Sequence, residues 1–123
     1  MKERSHVPAA MARQLLEERR ERDAALGADM FADPSWELLL HLFAASDDGA
    51  AIPVCDLCEA SSAPAPTALR WIKALAGSGK VVLVRHLSNP ERPFVQLTPA
   101  VYQQMRHLLE SWAGRSAARR KGA

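Results

Sequence analysis

The chain has 123 residues, 48% hydrophobic and 24% charged, with a formal net charge of +2. That length sustains one modest core and not two. No apolar run approaches a membrane span, MKERSHVPAA at the start has no apolar signal core, and two cysteines three residues apart build no disulfide framework, so the expected compartment is the reducing cytoplasm.

Residues 8–26, PAAMARQLLEERRERDAAL, have helix-forming composition and mixed charge, with Pro8 in the first turn and Gly27 as the stop. Glu18 and Arg22 form a favourable i,i+4 pair. Asp33 is placed to cap a second helix opened by Pro34, whose Trp36, Leu39, Leu40 and Phe43 follow helical spacing and predict a core helix ending before Asp47-Asp48-Gly49. After the apolar step Ala51-Ile52, residues 53–60 (PVCDLCEA) predict a short helix with Val54, Leu57 and Cys58 on one face. A tight connection, SSAP, leads into the next helix at 64–77, stopped by Gly77-Ser78-Gly79. VVLVRHL and FVQL predict two strands joined by a turn over SNPERP, a hairpin across 81–97. Thr98 is the expected cap of a last helix with Pro99 at its first position and a stripe of Val101, Met105, Leu108, Leu109 and Trp112. That helix reads as short, and the basic end GRSAARRKGA as a disordered tail.

The fold class is therefore mainly α with a small β-hairpin wing, a winged helix-turn-helix. Its expected parts are an N-terminal helix over 1–27 able to serve as a dimerisation arm, the winged helix over 28–98, and a C-terminal helix with the basic tail over 99–123.

Charge is unevenly spread. Residues 28–63 carry seven acids and no Lys or Arg, whereas 64–97 carry five basic residues against Glu91 alone. A basic half beside an acidic half favours an oriented encounter with an anion. On a wheel of the helix at 64–77, Ala68, Trp71, Ile72 and Leu75 fall on one arc and are expected in the core. Pro66, Thr67, Arg70, Lys73 and Ala74 fall opposite, with Leu69 at the edge. This second arc is basic, free of carboxylates and short in its side chains, properties a helix needs to enter the major groove. Arg70 can bond guanine or a phosphate, Thr67 a base edge or a phosphate, and Lys73 a phosphate, while Leu69 adds apolar contact. The alternative is that Arg70 and Lys73 are ordinary solvated charges.

Residues 52–98 resemble the winged helix-turn-helix of the MarR family of bacterial regulators. Leu57, the small residues Cys58 and Ala60, Pro64, Thr67, Arg70, Trp71-Ile72, Leu75, Gly79 and Leu97-Thr98-Pro99 fall where that family places them. The resemblance implies a three-stranded winged helix, a homodimer held by terminal helices, binding of double-stranded DNA at a palindromic operator, and a small-molecule effector whose pocket no residue here identifies. The family's charged Asp-x-x-Asp-Arg-Arg wing tip is replaced by HLSNPERP, leaving Arg85 and Arg92 to meet the DNA backbone. The expected DNA-binding set is Pro66, Thr67, Leu69, Arg70, Lys73, Arg85 and Arg92.

The competing reading is a winged helix used as a protein-interaction module, an adaptor or antagonist of another regulator, which the sparse wing and the acidic segment favour. Cys55 and Cys58 form a CxxC open to core packing or thiol sensing, and a structural zinc site would need two more ligands than the scattered histidines provide. GSGK at 77–80 lacks the upstream glycine and strand of a phosphate loop. No catalytic constellation, metal site or cofactor motif is expected, and the chain is not read as an enzyme.

Overall fold

A computed structural model describes residues 7–26, 34–45 and 49–122. The expected cap at Asp33, the stop at Gly27 and the start of the Asp47-Asp48 turn lie outside the described residues. The elements in order are α1 (Val7–Leu26), α2 (Pro34–Ala45), β1 (Ile52–Pro53), α3 (Val54–Ala60), α4 (Ala65–Gly77), β2 (Val81–His86), β3 (Asn89–Leu97) and α5 (Pro99–Gly122). The three strands form one antiparallel sheet in the order β1-β3-β2.

α2 is apolar on nearly every side. Leu38, Leu40, Leu42 and Phe43 are buried, and Trp36 and Leu39 are partly buried against them. Such a helix sits in the middle of a domain. α1 lies on it through Ala9, Ala12 and Leu16, and α5 packs mainly on α1 and meets α2 through aromatic pairs, with Tyr102, Met105 and Leu109 buried, so the terminal helices share one core with the winged helix. The Phe43 and Tyr102 rings stack at 5.1 Å, and Trp36 meets Trp112 edge-on at 6.1 Å. The stripe expected on the last helix thus packs largely on its own domain, with Leu108 left outside.

α5 differs from expectation in length. It has 24 residues and runs through the basic segment to Gly122, so it is not short and that segment is helical. Ala, Arg and Lys are strong helix formers, and Gly114, inside the helix, costs only about 1 kcal/mol against them.

The hairpin spans 81–97 as expected, but its second strand is longer than FVQL. β3 starts at Asn89, and His86 pairs with Asn89 across a two-residue tip of Leu87 and Ser88. The ladder is regular from Val81–Leu97 to Val84–Phe94 and then slips, so residues 90–93 bulge opposite Arg85. The prolines read as a turn are accommodated in that bulge, where no ladder donor is required. β1 adds the third strand, with Ile52 opposite Val95 and Pro53 opposite Phe94.

Two junctions orient the recognition elements. At the end of α4, Lys80 N–H bonds Leu75 O and Gly79 N–H bonds Ala76 O, with Gly79 at φ +81°. This Schellman closure needs a left-handed residue, supplied by glycine. Thr98 does more than stand before α5. Its hydroxyl donates to the carbonyls of Gly79 and Lys80 and so ties the base of the wing to the end of α4, while its carbonyl accepts from Tyr102 N–H.

Candidate nucleic-acid interface

α3 and α4 are joined at Ser61 to Pro64, and the angle between them is held by a group the sequence did not point to. Glu37 of α2 is only 6% exposed. Its Oε1 accepts from Ser61 Oγ at 3.3 Å, Ser62 N–H at 3.1 Å and Ser62 Oγ at 3.0 Å. A buried carboxylate needs such donors, and bonds to a charged acceptor are among the stronger ones. Ser61 Oγ also accepts from Ala63 N–H. The four-residue turn is therefore clamped to the central helix. The signal available in sequence was a single acid inside an apolar helix.

α4 follows with Pro66 in its first turn, no side-chain cap and no acid in that turn. Its positive end is open, an arrangement that favours anions. Ala68, Ile72 and Leu75 are buried as the wheel required. Trp71 is not: it is 39% exposed, a correction to its place on the core arc. It lies about 70° from the centre of the buried trio at about 100° per residue, on the flank of the helix. Pro66, Arg70, Lys73 and Ala74 are exposed and Thr67 is half-buried. Among the described residues neither Arg70 nor Lys73 enters an ion pair.

The expected DNA-binding residues separate into two groups. Thr67, Arg70 and Lys73 share the outer arc of α4. Pro66 and Leu69 turn along its flank toward the wing, where with Arg92 they line a groove of about 730 Å³ that also touches Cys55 and Cys58 of α3. The wing arginines are held within the wing. Arg85 Nη1 donates to Pro90 O at 2.8 Å, bridging the bulge, and the Arg92 guanidinium stands 6.0 Å from the centre of the Phe94 ring. His86 packs edge-on against that ring at 4.9 Å. Both arginines remain exposed, so they brace the wing and present charge together.

Both cysteines are free thiols, Cys55 exposed and Cys58 partly buried. Burial, and secondarily Cys55, pushes the Cys58 thiol up from its ordinary value. His41 is moved the other way: burial lowers its proton affinity, and Arg20 and Arg19 add to this against an opposing pull from Glu37. Among the described residues no group of three or more His, Cys, Asp or Glu is placed to hold a metal ion, and no helix is long and apolar enough to cross a membrane.

Helix, tight turn, outward-facing helix and three-stranded wing define a winged helix-turn-helix. That fold is similar to MarR-type winged-helix structures. The chain is similar to a mutant of Staphylococcus aureus MepR, with a TM-score of 0.57 and 16% identity over 89% of this chain and 79% of that one. It is also similar to apo (heme-free) PefR, with a TM-score of 0.47 and 15% identity over 87% of this chain and 94% of that one. The Bordetella bronchiseptica protein BpsR, whose DNA binding is regulated by 6-hydroxynicotinic acid, matches with a TM-score of 0.48 and 19% identity over 84% of this chain and 80% of that one. No family model and no curated protein sequence matches the chain.

Proposed function

We propose that the chain is a bacterial transcription regulator of the MarR-like winged-helix type that binds double-stranded DNA as a homodimer, with α4 in the major groove. One observation carries this reading: the outer arc of α4 holds Thr67, Arg70 and Lys73, exposes both cations without an ion-pair partner among the described residues, and opens at an uncapped helix N-terminus. Arg70 is the base-reading residue, since a guanidinium can bond two guanine acceptors at once. Lys73 neutralises phosphate, Thr67 fixes register, and the internally braced Arg85 and Arg92 set the backbone beside the wing. The small-molecule effector of such regulators enters this reading only as a class.

The test is fluorescence anisotropy on DNA from just upstream of the gene, with competitor DNA, across a range of salt. Loss of a guanine contact in Arg70→Ala costs about 1–3 kcal/mol and relaxes sequence preference. Lys73→Ala weakens all sequences alike and reduces the salt slope by about one. Binding that is weak, competitor-sensitive and indifferent to Arg70→Ala on genome-selected fragments overturns the proposal. It would favour a protein-interaction module instead, a reading supported by the apolar wing tip, where Leu87 is fully exposed.

A further inference from the structure

Cys55 and Cys58 stand one helical turn apart and both line the open groove between α3, the start of α4 and the wing. Side chains at i and i+3 on a helix lie about 5–6 Å apart at Cβ. Cys55 is among the causes that push up the Cys58 thiol, which agrees with the two sulfurs sharing a small volume. The groove walls beside them are mainly apolar, built from Val54, Ala65, Pro66 and Leu69. Among the described residues no further donor turns the pair into a three-ligand set.

This donor set is selective. Thiolates favour soft centres, and structural zinc demands four protein ligands. Inorganic trivalent arsenic has three bonds to fill. A trivalent arsenic that already carries one carbon substituent has two, the number of sulfurs present, and its substituent needs an apolar bed.

We propose that this groove binds a mono-organyl trivalent arsenical, R–As(OH)₂ with a small apolar R, chelated by Cys55 and Cys58 while R lies against Val54, Pro66 and Leu69. Each sulfur displaces one hydroxyl. Two As–O bonds break, two As–S bonds form, and the two thiol protons leave with the hydroxyls as two waters. Arsenic stays trivalent, so no oxidant or reductant takes part. The balanced reactants are neutral thiols, the form that burial favours at Cys58. Binding stands independently of DNA recognition; any effect of occupancy on DNA rests on the function proposed above and would act through α4 and the wing, which wall the groove.

The test uses the full, reduced chain under argon with phenylarsine oxide as probe. Intact mass shows one equivalent per chain, a thiol-reactive dye finds no free sulfur, excess monothiol leaves the adduct in place and a dithiol removes it. Cys55→Ser, at an exposed position, makes the adduct monothiol-labile and weakens binding at least about tenfold, because the second sulfur closes an intramolecular ring at high effective concentration. Leu69→Asp, also exposed, weakens the phenyl probe more than its methyl counterpart. Two equivalents per chain, an adduct stripped by monothiol, inorganic arsenite held as tightly as the phenyl probe, or equal loss of both probes in Leu69→Asp each overturns the proposal. A failed Arg70→Ala test on DNA leaves these outcomes unchanged.

Discussion

Removing the Glu37 carboxylate releases the clamp on the turn between α3 and α4. Its Oε1 accepts three bonds of 3.0–3.3 Å, two from hydroxyls and one from a backbone N–H. The cost is below the sum of three bonds. Ser62 is exposed and its donors can turn to water, whereas Ser61 is half-buried and keeps only part of that option. Bonds to a charged acceptor are worth about 1.5–3 kcal/mol each, and stranded buried donors about 1–3 kcal/mol. With one donor group stranded and the others resolvated, Glu37→Ala loses about 2–3 kcal/mol. Glu37→Gln keeps an acceptor in place but loses the charge, and loses about 1 kcal/mol. For a chain of this size each kcal/mol shifts Tm by about 4 °C. Urea titration of the full chain, with equal m-values for the variants, measures both changes. The exposed Arg20–Glu17 pair, at 3.0 Å with both side chains more than half exposed, is the control, and Glu17→Gln changes stability by less than about 0.5 kcal/mol. A Glu37→Ala loss below about 0.5 kcal/mol, or equal losses for Ala and Gln, refutes the charged clamp.

Ile72 is fully buried and Trp71 is 39% exposed at the preceding position of α4. Ile72→Ala therefore costs about 2–5 kcal/mol by urea titration, and Trp71→Ala clearly less despite the larger side chain. His41 takes up a proton less readily in the folded chain than the ordinary value of about 6.5. The unfolded chain binds the proton first as pH falls, so His41's contribution is complete above about 6.5 and lost as pH drops through that value toward the lower folded pKa. Stability measured from about pH 7.5 to 5 has a slope from this source that His41→Gln removes. Cys55 is exposed and Cys58 partly buried with a raised thiol pKa, so iodoacetamide at about pH 8 labels Cys55 first, as peptide mass analysis resolves.

Much of the fold was legible because its boundaries are written in prolines and glycines. Pro34, Pro66 and Pro99 fall in the first turns of three helices, and Gly79 closes α4 in the conformation that glycine takes most easily. What escaped reading depends on distant partners. β1 is two residues long and exists only because Val95 and Phe94 lie opposite. Tyr102 stands outside the stripe expected on α5, yet it is buried, stacked on the Phe43 ring and close to Gly49, partners that are distant in sequence. Glu37 is invisible for the same reason, since its donors lie 24 and 25 positions away. The exposure of Arg70 and Lys73 on one arc of α4 was legible, since helical geometry places them together without help from elsewhere, whereas Thr67 on the same arc is half-buried. Trp71 shows the limit of that geometry: on the flank, an angle on the wheel does not settle exposure.

The wing changes how the proposed DNA reading divides its work. An arginine held by a carbonyl at 2.8 Å and another against a ring at 6.0 Å are already ordered before any ligand arrives. Ordering long side chains in advance lowers the entropy cost of binding, but bonds already made inside the wing are not new on binding. On that proposal discrimination between sequences would fall on α4, with Arg70 as its one guanidinium. A single arginine distinguishes few base pairs, so useful specificity requires two copies of α4 on one duplex, about 34–36 Å apart. The stripe on α5 is spent mainly on α1 and on the α2 rings, which leaves its outward face, with Gln103, Gln104, His107 and the exposed Leu108, as the surface the proposed homodimer would use. At 24 residues α5 spans about 36 Å, long enough to reach beyond the core that its own first half covers.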